Sequence, residues 1–461
     1  MPRIIVVGAG VSGLSVAFRL QQLAAHAEIT VLEEAQRPGG TTWTMREQGF
    51  QLELGPNGFL DSKPTTKALC QDAGLSAQLV AASDAAARNR YLWLGGQLRA
   101  LPTGPGSLIG SNILGWRGKL SLLWERFRSG PRTMRDESID AFARRRCGAE
   151  VADVLADALV TGIYAGDPAL LSLPACFPRL AQLEREYGSV IKGFAQAARK
   201  RRTEARARGE PYQRGGKLWS LRGGLRVLVE TLAEQLRTAP HLGVRVRSIT
   251  KRGNQWHVRA GGRDAWHADA LVLTCPAYRQ AEMIADLDAA LADRIGEIPY
   301  NRVAVVGLGY RQSDILCPLD GFGFIAPQRT RRDLLGVQWC SSIYPDRAPA
   351  GMVLLRGMCG GWNRPDVVDW DDGRLLNAVR AELQAAMGIA TAPVFHCIIR
   401  WPCAIPQYHV GHLDRLAWID GRLGSHPGLF LGGNAYRGVA LNDCTEQGEV
   451  VARQVARYLQ S

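Results

Sequence analysis

Apolar and polar positions along the chain follow two periods. The unbroken run Ile4-Ile-Val-Val7 reads as a buried parallel strand. Leu14, Ala17 and Phe18 then recur at i, i+3 and i+4, the spacing of an amphipathic helix. A second strand, Glu28-Ile-Thr-Val-Leu32, follows, then a short one at 50–52. From about 88 to 210 the pattern turns to helices and loops, with Trp93, Trp116, Trp124 and Phe127 set among arginines. A helix is expected over 225–236, a strand over 243–249, a hairpin around 252–254 and a strand from 270. Apolar runs at 303–310, 322–326, 334–339 and 352–358 make 290–425 look β-rich. A strand and turn at 429–434 and a helix from 439 to 459 close the chain. The pieces imply a discontinuous nucleotide-binding domain whose parts come from the start, middle and end.

With 461 residues the chain is long enough for two or three structural regions, and 46% hydrophobic with 21% charged residues is ordinary globular composition. No apolar run approaches the roughly 20 residues of a membrane-spanning helix. No signal peptide is expected, since the first strand starts almost at once, so the expected compartment is the cytoplasm. Ten cysteines without a C-x-x-C pair and eight histidines without metal spacing argue against a disulfide scaffold and a bound metal. The net charge of +13 points to an acidic substrate or an anionic membrane surface rather than nucleic acid, for which no module is present. The basic run 199–209 reads as a solvated helix face or a headgroup-facing segment.

The turn after the first strand reads Gly8-x-Gly10-x-x-Gly13. Gly8 permits a tight turn, Gly10 lets a pyrophosphate approach the backbone, and Gly13 lets helix and strand pack closely. The helix N-terminus, with Val11 and Ser12, turns unpaired N–H groups and a positive dipole end toward phosphates. Glu33 follows Gly13 at about the 20-residue spacing of a carboxylate that binds a ribose hydroxyl. The next segment, Arg37-Pro-Gly39-Gly40-Thr41, adds a second glycine pair. Together these make a dinucleotide site.

These motifs resemble the flavin amine-oxidase-like oxidoreductases. Stretches elsewhere resemble the porphyrinogen-oxidising branch: Glu53-Leu-Gly-Pro-Asn-Gly-Phe59, Asn89-Arg-Tyr-Leu-Trp-Leu-Gly-Gly96 with Leu101-Pro-Thr-Gly104, and Thr161-Gly-Ile-Tyr-Ala-Gly-Asp167. Others are Ser220-Leu-Arg-Gly-Gly224, Tyr344-Pro-Asp-Arg-Ala-Pro349, Ile405-Pro-Gln-Tyr408 and Gly438-Val-Ala-Leu-Asn442. The resemblance implies an α/β plus α+β architecture: a Rossmann-like FAD domain (1–88, 210–288 and 426–461), a mixed-sheet substrate domain (289–425), and a helical, membrane-facing region (89–209). It implies six-electron oxidation of protoporphyrinogen IX by oxygen with release of hydrogen peroxide; the alternatives are coproporphyrinogen III oxidation or, more remotely, an amine oxidase or carotenoid desaturase. It also implies a cytoplasmic protein resting on the inner membrane, and with it a hand-off to ferrochelatase and a homodimer. Cofactor residues so implied are those above with Glu34, Gly55, Pro56, Asn57, Val246, Gly433, Val439, Ala440 and Leu441. The Ser-Gly-Gly-Cys signature of covalent flavin attachment is absent, so FAD is expected to bind non-covalently. Arg90 is expected to pair with a substrate carboxylate and the Gly162 carbonyl to orient pyrrole N–H groups, while Ile325, Gln338 and Met358 line the macrocycle pocket. Gln338 and Met358 depart from the aliphatic and aromatic residues expected there. No catalytic base and no metal ligand is expected, since the flavin carries the redox chemistry.

Overall fold

The computed structural model describes residues 1–461 except 103, 129–135, 208, 210–215, 262–264 and 461. Thr103 of the 101–104 motif, Arg208 of the basic run and the domain boundary expected at 210 lie outside the described residues.

The opening apolar run forms the strand Arg3–Val7, the centre of a five-stranded parallel sheet. The spatial order is His241–Leu242, Glu28–Glu33, Arg3–Val7, Ala270–Leu273, Leu429–Leu431. A parallel sheet covered on both faces needs apolar side chains on both, which explains the uninterrupted runs. One face carries the helix Val11–Leu23, with Leu14, Ala17 and Leu20 fully buried. The closing helix Leu441–Tyr458 lies against it, and a Cβ on Gly448 would stand 2.8 Å from Ser15 Cβ, so the glycine sets the approach of the two helices. The other face packs on the antiparallel strands Val246–Arg252, Gln255–Ala260 and Ala265–Ala268 and on the helices Ala277–Ile284 and Ala289–Gly296, around buried Trp256.

A second, seven-stranded sheet runs Phe395–Trp401, Val303–Arg311, Met352–Gly360, Leu334–Trp339, Gly323–Ile325, Tyr91–Leu94, Gln97–Ala100. One face, with Ala304, Val306, Leu308, Val353 and Leu355, packs on Leu375, Val379 and Leu383 of the helix Asp372–Met387. Two elements differ from expectation. The stretch expected to be helical opens with the hairpin Tyr91–Leu94 and Gln97–Ala100, which joins this sheet through Gly323–Ile325. Both faces of Tyr91–Leu94 are apolar because it is an inner strand, so no alternation marks it. The 16-residue helix Asp372–Met387 sits in the region expected to be β-rich; Asp371 caps it by accepting from Arg374 N (2.9 Å), and Gly388 ends it.

The helices from Pro105 to Ala207 are anchored by a fully buried ion pair, Glu125 with Arg146. Arg146 Nε donates to Glu125 Oε1 (3.0 Å), and the carboxylate also accepts from Ser189 Oγ (2.6 Å) and the N–H groups of Val190 (3.0 Å) and Ile191 (3.2 Å). Such satisfaction is what lets a buried pair offset its desolvation. Among the described residues no helix is long and apolar enough to cross a membrane.

Candidate active site

The carboxyl ends of the parallel strands bring the expected dinucleotide residues together. Gly8 turns with φ 104°, a conformation that disfavours any side chain, directly after the strand. Thr274, at the end of Ala270–Leu273, donates through Oγ1 to the carbonyls of Val7 (3.0 Å) and Gly8 (3.1 Å) and fixes the turn. A Cβ on Gly13 would stand 1.9 Å from the Gly8 carbonyl oxygen, whereas one on Gly10 would meet nothing within 4 Å. Thus Gly13 serves close helix–strand packing, and Gly10 presents bare backbone to open space at the helix N-terminus with Val11 and Ser12. Gly39 bridges to Gly10, its N–H donating to the Ala9 carbonyl (2.7 Å), and Gly40 follows within reach of Gly10. Arg37 donates to the carbonyls of Pro38 (3.2 Å) and Gly40 (3.1 Å) and stacks on Trp43.

Glu33 stands at the end of its strand beside this turn, accepting from the N–H groups of Ala9 (2.6 Å) and Ala35 (2.9 Å). Glu34 points elsewhere, into a surface ion-pair group with Arg245 (3.3 Å) and Arg279 (3.6 Å). Val246 is buried with Ile5, Val7 and Leu32. From the C-terminal side, a Cβ on Gly433 would stand 3.0 Å from the Thr274 carbonyl oxygen. Val439, Ala440 and Leu441 open the closing helix, with the Ala440 N–H donating to Asp443 Oδ2 (3.1 Å). Ser12 and the Cys444 thiol share a hydrogen bond and Ser15 faces Gly448, so the two helices run the same way and their N-termini point together.

The exposed residue Thr41 links the glycine pair to the next loop: a Cβ on Gly55 would stand 2.0 Å from the Thr41 carbonyl oxygen. Gly55, Pro56 and Asn57 therefore border the cradle. The Asn57 Nδ2 donor is buried without a partner among the described residues. These features fit a flavin dinucleotide: bare glycine backbone, two helix N-termini, a carboxylate at ribose distance in the chain, and a donor left over.

The pocket face of the seven-stranded sheet carries Ile325, Gln338 and Met358, each half-buried in a strand whose neighbouring residues are buried. Their register aligns them: Gly336 pairs with both Ile325 and Met358, and Gln338 with Arg356. Gly162 faces this wall from the helix Asp157–Tyr164. That helix ends at Ala165 (φ 44°). Asn301 Nδ2 (2.7 Å) and Gln407 Nε2 (3.0 Å) take the Tyr164 carbonyl and Ala165 N–H takes that of Thr161 (3.1 Å); no donor among the described residues takes the Gly162 carbonyl. Arg90, immediately before the strand Tyr91–Leu94, is exposed, and its guanidinium lies 4.9 Å from the Phe322 ring with no carboxylate in ion-pair range among the described residues. Burial of its surroundings lowers its pKa.

Residues that pattern reading missed are the tethers: Thr274, Asn301, Gln407 and above all Arg356. Arg356 is buried in the middle of Met352–Gly360, its Nη1 donating to Gln338 Oε1 (2.9 Å) and its Nη2 to the Gly55 carbonyl (2.6 Å). Gln338 departs from an aliphatic residue because it has a guanidinium to hold. A charged residue inside an apolar run was the available signal.

Comparison with known proteins agrees with this geometry. Residues 11–456 match the family model described as flavin containing amine oxidoreductase, and the chain belongs to that family. A chloroplastic protoporphyrinogen oxidase from Oryza sativa subsp. japonica is 34% identical, covering 99% of this chain and 88% of that one. A coproporphyrinogen III oxidase from Bacillus subtilis is 29% identical, covering 99% and 98%. The crystal structure of a provisionally assigned protoporphyrinogen oxidase from Exiguobacterium sp. 255-15 shares the fold, with a TM-score of 0.85 at 24% identity over 100% of this chain and 99% of that one. The protein is thus a flavin-dependent oxidoreductase with mixed sheets and many helices.

Proposed function

We propose that this oxidoreductase removes six electrons and six protons from protoporphyrinogen IX to give protoporphyrin IX, three molecules of oxygen becoming three of hydrogen peroxide. The observation that carries the reading is the facing of Gly162 and the Ile325–Met358 wall, close to an arginine with no carboxylate partner among the described residues. Similarity over nearly the full chain to enzymes named for porphyrinogen oxidation supports it. When bound, FAD supplies the hydride-accepting ring. The chain's own residues do the rest. Gly8–Gly13 and Gly39–Gly40 hold the pyrophosphate and Glu33 the ribose. Ile325 and Met358 exclude water from the ring faces, the free Gly162 carbonyl accepts from pyrrole N–H groups, and Arg90 pairs with a propionate in a charge-assisted bond.

Anaerobic mixing with protoporphyrinogen IX is the test: the bound flavin is expected to bleach and porphyrin fluorescence to appear on admitting oxygen. A flavin that stays yellow overturns the reading. Coproporphyrinogen III is the second reading, favoured by the Bacillus subtilis relative, and a higher kcat/KM on the four-carboxylate substrate selects it. The helical region is proposed to rest on a membrane surface. Trp116, Leu120, Trp124 and Phe127 recur on one side of Trp116–Phe127, all exposed, with Arg117 and Arg126 beside them.

A further inference from the structure

The pocket wall holds a buried cation. Arg356 is 3% exposed, and beyond its bonds to Gln338 and Gly55 its Nε has no partner among the described residues. No described carboxylate lies within ion-pair range of it. Nearby Glu53 is 2% exposed and engaged elsewhere, by Arg347 Nη2 (3.6 Å), Thr44 Oγ1 (2.9 Å) and the Leu225 N–H (2.9 Å). Glu53 is thus paired with Arg347 and not with Arg356, and burial pushes its pKa up. An uncompensated buried cation is costly unless negative charge arrives to offset it. The Gly55 carbonyl that Arg356 grips belongs to the loop bordering the cofactor cradle, where the Asn57 donor also has no partner among the described residues. Gln338 is suited to hold such a charge: its amide oxygen accepts from the guanidinium without neutralising it.

We propose that Arg356, positioned by Gln338, is an electrostatic residue for the bound flavin and stabilises the reduced ring over the oxidised one. The inference rests on the cradle being a flavin site. Accepting a hydride, one proton with two electrons, adds one negative charge to the ring. A buried cation at its border then binds the reduced form more tightly and raises the potential.

The test measures the midpoint potential of FAD bound to R356M, R356K, Q338E and the unaltered protein by equilibrium titration with redox dyes. R356M is expected to lose at least about tenfold in the preference for reduced over oxidised flavin, about 30 mV downward for a two-electron couple. R356K is expected to keep most of that preference. Q338E, which keeps Arg356 but cancels its charge, is expected to shift in the same direction as R356M. Unchanged potentials in R356M and Q338E overturn the proposal. So does an unchanged potential joined to a KM that rises more for a four-carboxylate than for a two-carboxylate porphyrinogen, which makes Arg356 a substrate receptor. Should R356M fail to fold, an unaltered potential in Q338E alone is decisive against it. An unaltered protein that takes up no FAD removes the cradle reading instead, a failure distinct from a flat potential.

Discussion

Gly162 and Ile325 face each other across the pocket so closely that a Cβ on the glycine would stand 2.7 Å from the isoleucine Cδ1. The atom in the way is the free end of a flexible side chain. Gly162→Ala is therefore expected to fold with stability within about 1 kcal/mol of the parent, since alanine also suits a helix. The displaced methyl narrows the pocket. Turnover efficiency on the porphyrinogen is expected to fall roughly tenfold or more, about 1.4 kcal/mol of transition-state stabilisation, with flavin loading unchanged. Urea unfolding and steady-state kinetics check it, and Ile325→Val in the same chain is expected to restore part of the loss. Equal kinetics in both proteins would place the substrate elsewhere.

The cofactor side of the molecule was legible because its constraints are local. A strand, a turn and a helix start sit in consecutive residues from Ile4 to Leu14, and each glycine in between has a geometric duty. The pocket side was legible only through resemblance. Ile325 and Met358 look like any strand residue, and nothing in their neighbourhood announces the cleft. The Arg356–Gln338 bond joins residues 18 apart on two strands, and the Glu125–Arg146 pair joins residues 21 apart. Such pairings depend on register and helix packing, which periodicity does not encode. The helix Asp372–Met387 did carry a readable signal: an Asp cap, Leu375, Val379, Leu383 and Met387 at every fourth position, and a closing glycine. The strongly β-patterned surroundings hid it.

Gly10 and Gly13 stand three residues apart in one motif yet predict opposite failures. Gly10→Ala adds a methyl that meets no protein atom, on a backbone with φ −68° that alanine adopts freely. It is expected to fold normally and to bind FAD more weakly, as reconstitution of the stripped protein would measure. Gly13→Ala puts its methyl 1.9 Å from the Gly8 carbonyl oxygen and 2.5 Å from Thr274 Oγ1. It is expected to lose about 1–3 kcal/mol of stability or more, because backbone must move. If both variants lose cofactor with unchanged unfolding midpoints, the packing role of Gly13 is wrong.

Arg90 has an aromatic face beneath it and no acidic partner among the described residues. Its removal leaves no buried charge stranded, so Arg90→Ala is expected to unfold at the same urea concentration as the parent. The loss falls on the substrate: one charge-assisted bond is worth about 1.5–3 kcal/mol, so KM is expected to rise roughly tenfold or more. A change confined to kcat would instead assign Arg90 to the chemical step.

On the helical region, Trp116, Trp124 and Phe127 are 67%, 63% and 60% exposed. Large apolar side chains lined up this way are costly in water and suited to an interface. Replacing Trp124 and Phe127 with Ser is expected to weaken co-sedimentation with vesicles of mixed neutral and anionic lipid by roughly tenfold per side chain. Added salt is expected to weaken the parent further, through Arg117, Lys119 and Arg126. Turnover of porphyrinogen in detergent-free buffer is expected to be retained, since the face lies outside the pocket wall. Vesicle binding that ignores both substitutions would rule out this face as the contact.

Asp288 ties two helices on the far side of the parallel sheet. It caps Ala289–Gly296 by accepting from the Leu291 N–H (3.1 Å), and it accepts from Arg422 Nε (2.6 Å) and His426 Nε2 (2.7 Å) at the end of His412–Leu423. Burial alone would raise its pKa, but the bonds from Arg422, His426 and Leu291 outweigh that and hold it at about 2. A carboxylate whose pKa is lower in the folded than in the unfolded state stabilises the fold above its unfolded pKa, near 3.9, and loses that contribution as pH falls through the folded value. The window is therefore about pH 4 down to about pH 2, and the charge contributes on the order of 2 kcal/mol above it. Asp288→Asn is expected to be less stable than the parent by about that amount at pH 7. The two proteins should nearly converge as the pH approaches 2, where the parent's carboxylate is half protonated in the fold and almost fully protonated in the unfolded chain. Urea unfolding at a series of pH values checks it: a stability gap that stays constant down to pH 2 would mean the side chain acts by shape and not by charge.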